Sequence, residues 1–585
     1  MDAVSVTTGD TRSEHDNRLA FAAWMDDFFA FDRARRPVNA TFTGVHDHDH
    51  QLPDFSPEGR ARAVDAMRDL RRRLAAIGHD GLDEASRHDR SLADGHLAIQ
   101  LWEETAPHFH AGNPAVVTGE GIFGVLSLFL RDSEPLADRV AAAVSRMTAM
   151  PGFLEQGRAN VDAAPAAWTE RAAREARAAD HYFGRGVQLL AAERGITDPS
   201  FLAAAETARA AFREHATWLE TDLTKRTTDA YACGREAFDR YLHQGHHLPV
   251  EHDAGWVEAY AREALEAAQR ALDDRARDVS PDSTCDELLG TLPDHHPTIE
   301  EYPSAFARTW HAARSAALDH DLVTWPDFPI EYVPVPASDR EAAGELYYLP
   351  YRCPAPFGRP EVHRYLVPPI DPSLPAEEQE RRLRATNDSV ITLNHVIHHG
   401  GLGHHVQNWH AARAASRIGQ VAGVDCASRI AFFCGGTLVE GWACYATDLM
   451  DEVGFLTPLQ SLAQAQNQVR MAARAVVDVA LHTGGLTLAE AARFYEREAG
   501  MSAAAAHGEA VKNSMFPGAA MMYLIGTDAI HDLRRQMATA EGASFSPRAF
   551  HDRFLSYGAI PVSLIAASML GDAAGSPGVQ LAPAQ

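Results

Sequence analysis

Apolar residues recur every three to four positions through most of this 585-residue chain, on segments rich in Ala, Leu, Arg and Glu. That period lines them up on one face of an α-helix, and those residue types are good helix formers. Stripes of this kind are buried only by packing helix on helix, so the pattern predicts a mainly α fold. Helices are expected near 17–36, 57–77, 86–105, 134–162, 165–194, 198–227, 253–276 and 299–318. They resume near 387–399, 404–417, 428–453, 458–483, 487–499, 502–513, 518–537, 546–557 and 561–570. Asp198-Pro199 and Ser546-Pro547 mark helix starts, and Gly484-Gly485 marks an end.

The period fails over 322–368, where Val323-Thr324-Trp325, Ile330-Glu331-Tyr332-Val333 and Leu346-Tyr347-Tyr348-Leu349 read as short strands between prolines. One small antiparallel β element is expected there. A soft boundary near 320 divides a helical half (16–320) from a half (321–570) that holds the β element and the candidate site. Two helical halves flanking a central cleft would be a natural arrangement. Residues 1–15 and the Gly, Ala, Pro and Ser-rich tail 571–585 are expected to be disordered.

A formal net charge of −27 disfavours nucleic acid and anionic membrane surfaces as partners. The six cysteines show no CxxC pair, which fits free thiols in a reducing cytoplasm better than a disulfide framework. Met1–Asn17 lacks the apolar core of a signal peptide, and no stretch approaches the length of a membrane span. No Walker or dinucleotide fingerprint follows a strand, so nucleotide cofactors are not expected.

Chemistry concentrates in Asn394-His395-Val396-Ile397-His398-His399-Gly400-Gly401-Leu402-Gly403-His404-His405, where five of the 30 histidines fall within eleven residues. Apolar neighbours bury the segment, and buried imidazoles need partners. Further on, Glu440-Gly441-Trp442 adds a carboxylate on an apolar helical run. Imidazole nitrogen and carboxylate oxygen are ligands of zinc, iron and manganese, so a divalent metal site is expected, zinc first. The HExxH pattern is absent. His395 and His399 have the i, i+4 spacing of co-facial ligands, but Gly400, Gly401 and Gly403 make a continuous helix improbable, so several triads stay open.

The segment resembles the signature of the DUF885 family, His-Glu-x-x-Pro-Gly-His-His-x-Gln, with Gln407 closing the match. Glu440-Gly441-Trp442-Ala443-Cys444-Tyr445-Ala446 resembles the family's EGWALYA helix, and Arg474 through His482 its RxVVDxGLH segment. Pro517-Gly518 through Tyr523 and Gly526 resembles a PGxxxxYxxG turn, and Phe550-His551-Asp552 with Gly558 through Pro561 the closing FHD…GxxP. The resemblance spans nearly the whole chain. It implies a large helical metallopeptidase-like fold, with His398, His404 and Glu440 as metal ligands. Tyr523 and His482 become candidates to polarise a carbonyl, and Arg474 and His405 to bind substrate. Apart from the resemblance, Tyr348 and Tyr351 on the β element before the site either line the cleft and bind substrate or are core. Arg474 and Asp478, one turn apart, also read as an ion pair.

His399 stands where the family has glutamate, Leu402 where it has proline, and Lys512-Asn513 where it has Arg-Tyr. The missing glutamate is the residue that would take a proton from metal-activated water and pass it to the leaving nitrogen. Three readings follow. His399 is the base of a hydrolase or lyase acting on a small carbonyl or amide compound, or on a short peptide-like substrate. Alternatively His399 is a ligand, giving three histidines and Glu440, a set suited to redox or isomerase chemistry on iron, manganese or nickel. In the third, the protein is an inactive binding homologue. Oligomeric state is not readable. Cys444, one turn after Glu440, could face the ion. His46-Asp47-His48-Asp49-His50, His243, His246, His247 and His295-His296 read as loops.

Overall fold

Several helices begin where a side-chain oxygen meets the first unpaired N–H groups. Ser56 accepts from Gly59 N ahead of Pro57–Ala75, and Asp253 from Trp256 N ahead of Ala254–Val279. Thr457 and Gln460 form a reciprocal box ahead of Pro458–His482. The computed structural model describes residues 8–344, 346, 351–427 and 429–571, and within these the fold is mainly α.

Most expected helices are present with shifted ends. The first starts at Thr8, so residues 8–15 form its opening turns instead of a disordered stretch. The run expected at 165–194 is Ala166–His181 and Val187–Arg194, joined by a wider π turn at Tyr182–Gly186. Ala115–Leu126 and Ala376–Ala385 were not expected. The first is buried on nearly all sides and the second buries only Leu383, so neither carries an amphipathic stripe.

Pro458–His482 is the central post, with every residue from Ala472 to His482 buried. Its apolar residues share a core with Ala254–Val279, and small residues such as Ala261, Ala264, Ala472 and Ala475 let the backbones approach. Val476 and Val477 are 0% exposed, and a valine so placed contributes about 1.5–3 kcal/mol. This core takes Phe238 to Ala276 together with Leu462 to Ile525, and the larger core runs from Phe21 to Leu570. The boundary expected near 320 therefore divides neither core.

The β element differs from expectation. Ile330–Pro334 pairs in parallel with His363–Val367, in register from Ile330↔His363 to Pro334↔Val367. A parallel pair requires a long crossover. That crossover contains the segment expected as a third strand, of which all but Leu346 lies outside the described residues. A second parallel pair joins Ala164–Pro165 to Thr227–Thr228. The first sheet supports the histidine segment: Tyr332 and Tyr365 rings lie 4.9 Å apart, and the Tyr365 hydroxyl is 2.6 Å from His395 Nδ1.

Candidate metal centre

Val390–Gly400 is a π-helix, an i→i+5 form that is rare and often found at functional sites. It ends in a tight turn through Gly401 and Gly403, after which His404–Ala411 starts a new helix. Gly403 N donates to Ile397 O at 2.9 Å, and a Cβ at Gly403 would lie 2.0 Å from His398 O, so the turn accepts only glycine. Two indoles fix it from outside. Trp310 Nε1 donates to Gly400 O at 2.7 Å, and Trp442 Nε1 to Leu402 O at 2.9 Å.

The reversal folds His404 back over His398 and His399. One ligand nitrogen from each of the three lies within 4.8 Å of the others. His395, an alternative from spacing, instead meets Tyr365. The glutamate arrives on Gly436–Glu452, which crosses Met522–Glu541 at two glycines. A Cβ on Gly441 would lie 2.5 Å from Gly526 C, and one on Gly526 2.1 Å from Thr437 O. This close crossing carries Glu440 and Tyr523 into the walls of one cavity.

Glu440 Oε2 lies 3.5 Å from His398 Nε2 and 3.7 Å from His404 Nε2. It is buried and has no hydrogen-bond partner among the described residues. Metal bonds of about 2.0–2.2 Å in a tetrahedral site put neighbouring ligand atoms roughly 3.4 Å apart. The spacing thus suits a shared cation better than a hydrogen bond. Burial alone would raise the Glu440 carboxyl, but His398 and His404 bring it down to about 2. Burial takes His404 down to about 4 against the pull of Glu440, so the set is an ionised carboxylate facing a neutral imidazole. Burial also holds His399 well below its ordinary value, helped by His398 and His404. His399 Nδ1 contacts Asn394 O at 2.7 Å, which leaves Nε2 with the lone pair.

The cavity is about 1130 Å³ and includes Tyr351, Arg474, Tyr523 and Cys444 in its walls. Tyr351 packs its ring 6.3 Å from His404 and accepts a hydrogen bond from Asn408 Nδ2 at 3.3 Å. The Arg474 guanidinium stacks 5.0 Å from the Tyr523 ring. Burial raises the Cys444 thiol, with Glu440 adding to the shift.

Two expected site residues face elsewhere. His405 Nε2 is 2.7 Å from Phe328 O, its ring stacks on Phe328 at 4.8 Å, and it lies outside the cavity wall. Its neighbour His404 turns inward, and adjacent residues at a helix start cannot share a direction. His482 is fully buried, with ring nitrogens 2.9 Å from Asn513 O and 3.2 Å from Tyr231 O, and it too is absent from the wall. Tyr348 lies outside the described residues. The expected Arg474–Asp478 pair is replaced by Arg474 Nε on Glu509 at 2.6 Å. Asp478 instead accepts from Gly518, Ala520 and Met521 N at 2.8–3.0 Å, anchoring the turn that leads to Tyr523.

Several wall residues escaped sequence reasoning. Burial pushes the Asp425 carboxyl up to about 6, and the Glu440 charge adds to it. Nothing in its loop sequence marks it. Asp448 contacts His531 Nε2 at 3.0 Å, and Asp528 accepts from Tyr260 at 2.6 Å. Arg470 precedes Arg474 by one helical turn, a spacing that could have flagged it. The His46–Asp49 tract closes on itself at 2.8 Å, and His246 is a buried partner of Gly518 O at 2.8 Å.

The sequence profile of a family described as "Bacterial protein of unknown function (DUF885)" matches residues 37–569. The chain belongs to the DUF885 family. No curated protein matches it. A "putative lipoprotein of unknown function" from Shewanella oneidensis shares the fold at a TM-score of 0.74 and 21% identity, over 95% of this chain and 99% of that one. A "putative lipoprotein" from Colwellia psychrerythraea does so at 0.75 and 14%, over 96% and 99%. At these identities the likeness concerns the DUF885 fold alone. Among the described residues no helix is long and apolar enough to cross a membrane.

Proposed function

We propose that the protein is a metal-dependent enzyme that hydrolyses, or eliminates from, a small carbonyl or amide compound, including short peptide-like substrates. His398, His404 and Glu440 hold the ion, zinc first, with iron or manganese as alternatives. The observation that carries this is the partnerless Glu440 Oε2 between two imidazole nitrogens at 3.5 and 3.7 Å. When bound, a divalent cation supplies Lewis-acid polarisation of a carbonyl oxygen. His399 takes the substrate or water proton at Nε2, because Nδ1 is committed to Asn394. The Tyr523 hydroxyl, in the same cavity, stabilises developing charge on the carbonyl oxygen.

The closeness of His399 to His398 and His404 supports a second reading, in which it completes a set of three histidines and Glu440 for redox or isomerase chemistry. Metal analysis of purified protein bears on the choice: dominant zinc favours the first, whereas iron or manganese fits both and leaves the decision to a variant. His399→Glu restores the base the family pattern carries. Under the first reading this variant gains peptidase activity on a mixed peptide panel while metal content is unchanged. Loss of the metal in this variant would instead make His399 a ligand.

A cytoplasmic location is supported by six cysteines, all free thiols. The lipoprotein descriptions of the two structural relatives point instead to a membrane-anchored form, and fractionation of producing cells distinguishes them. The charge of −27 keeps nucleic acid and anionic lipid off the list of proposed partners.

A further inference from the structure

The cavity beside the histidines contains cations and acids, and nearly all of them are already engaged. Arg474 is neutralised by Glu509 at 2.6 Å, and Arg270 reaches Glu266 at 3.9 Å. Asp448 is held by His531, Gln464 and Gln468, and Asp528 by Tyr260. Arg470 is the exception. Its Nε is buried with no hydrogen-bond partner, and among the described residues no carboxylate forms an ion pair with it. Its electrostatic neighbours are Arg474, Glu509, Cys444 and Tyr523, which puts it beside the residue one turn beyond Glu440 and beside the tyrosine proposed above.

Arg470 is half-buried in the cavity wall, and its Nε is shut off from water. It shares the nearby Glu509 charge with Arg474 without forming an ion pair of its own, so its charge is only partly compensated. Retaining it makes sense where an anion arrives with the ligand. We infer that Arg470 binds a carboxylate of the substrate, and that the cavity selects monoanionic carboxylates with an apolar body. The planar fork of arginine matches a carboxylate with two parallel hydrogen bonds. Among the described residues of the wall, Arg474 and Arg270 are paired and Lys512 is engaged, so a phosphate dianion would meet Arg470 as the unpaired cation beside Asp425, Glu440, Asp448 and Asp528. Ala264, Ala268, Leu393, Met471 and Leu524 give the rest of the surface an apolar lining. This inference rests on the proposed function only in taking the same cavity as the substrate site.

The test is calorimetry on the full chain, zinc-loaded and metal-stripped, with N-acetyl-alanyl-phenylalanine, its C-terminal amide and inorganic phosphate. The acid binds wild type at least about tenfold more tightly than the amide, as expected for one charge-assisted pair, and more tightly than phosphate. Arg470→Met removes that preference and leaves zinc content unchanged, while Arg470→Lys keeps part of it. Because Arg470→Met deletes a half-buried charge that forms no ion pair, it melts no lower than wild type, which shows that it folds. Equal binding of acid and amide, no binding of either, tighter binding of phosphate, or a preference that survives Arg470→Met each overturns the inference. Zinc uptake without a carboxylate preference sinks this inference and leaves the metal site standing. A carboxylate preference in a protein that takes up no metal does the reverse.

Discussion

Single residues separate the groups proposed to meet an ion from those that hold the fold. Glu440→Ala removes the charged member of the set, so its metal affinity should fall by more than the roughly 10–100-fold typical of losing a partner behind a ligand. Competition with a chromogenic chelator measures this. His405→Ala should do the opposite: metal uptake stays, and urea unfolding shows a loss of about 1–3 kcal/mol, because the Phe328 carbonyl is orphaned in the interior. That His398, His404 and Glu440 come together was legible because an ordered motif marks them. His405 and His482 were not, since neither spacing nor family pattern reveals which carbonyl a histidine will meet. Arg470 was missed although it precedes Arg474 by one turn: an arginine on a helix ordinarily faces open solvent, and the packed cavity shows that this one lines a wall.

Among the elements, the crossing of Gly436–Glu452 and Met522–Glu541 sets the position of the carboxylate. Gly526→Val puts side-chain atoms where the Thr437 carbonyl already lies 2.1 Å from a Cβ, so the helices must part. The expected cost is about 1–3 kcal/mol, with weakened metal binding, and calorimetric melting with and without zinc reads both. Helices were readable wherever one face was apolar. Ala115–Leu126 and Ala376–Ala385 lacked that contrast, one too buried and the other too polar. The strand pair defeated local reasoning differently. Ile330–Pro334 finds its partner across a crossover, and no adjacent-segment pattern encodes a parallel register.

The whole molecule buries many imidazoles. Burial takes His108, His246 and His551 down to about 4 and His215 to about 3, all away from the proposed ion. In the unfolded chain they titrate near 6.5. Between those values the unfolded state binds more protons, so their contribution is complete above pH 6.5 and is lost as pH falls toward 4. Urea midpoints at pH 7.5, 6 and 5 should decline in that order, and a flat profile would rule the effect out.

The indoles of Trp310 and Trp442 each grip a carbonyl of the loop between His398 and His404. Any ion that draws those two imidazoles together tugs on both hydrogen bonds at once. If zinc occupies the proposed site, tryptophan emission followed during a zinc titration is expected to report occupancy without a dye, a label or a known substrate.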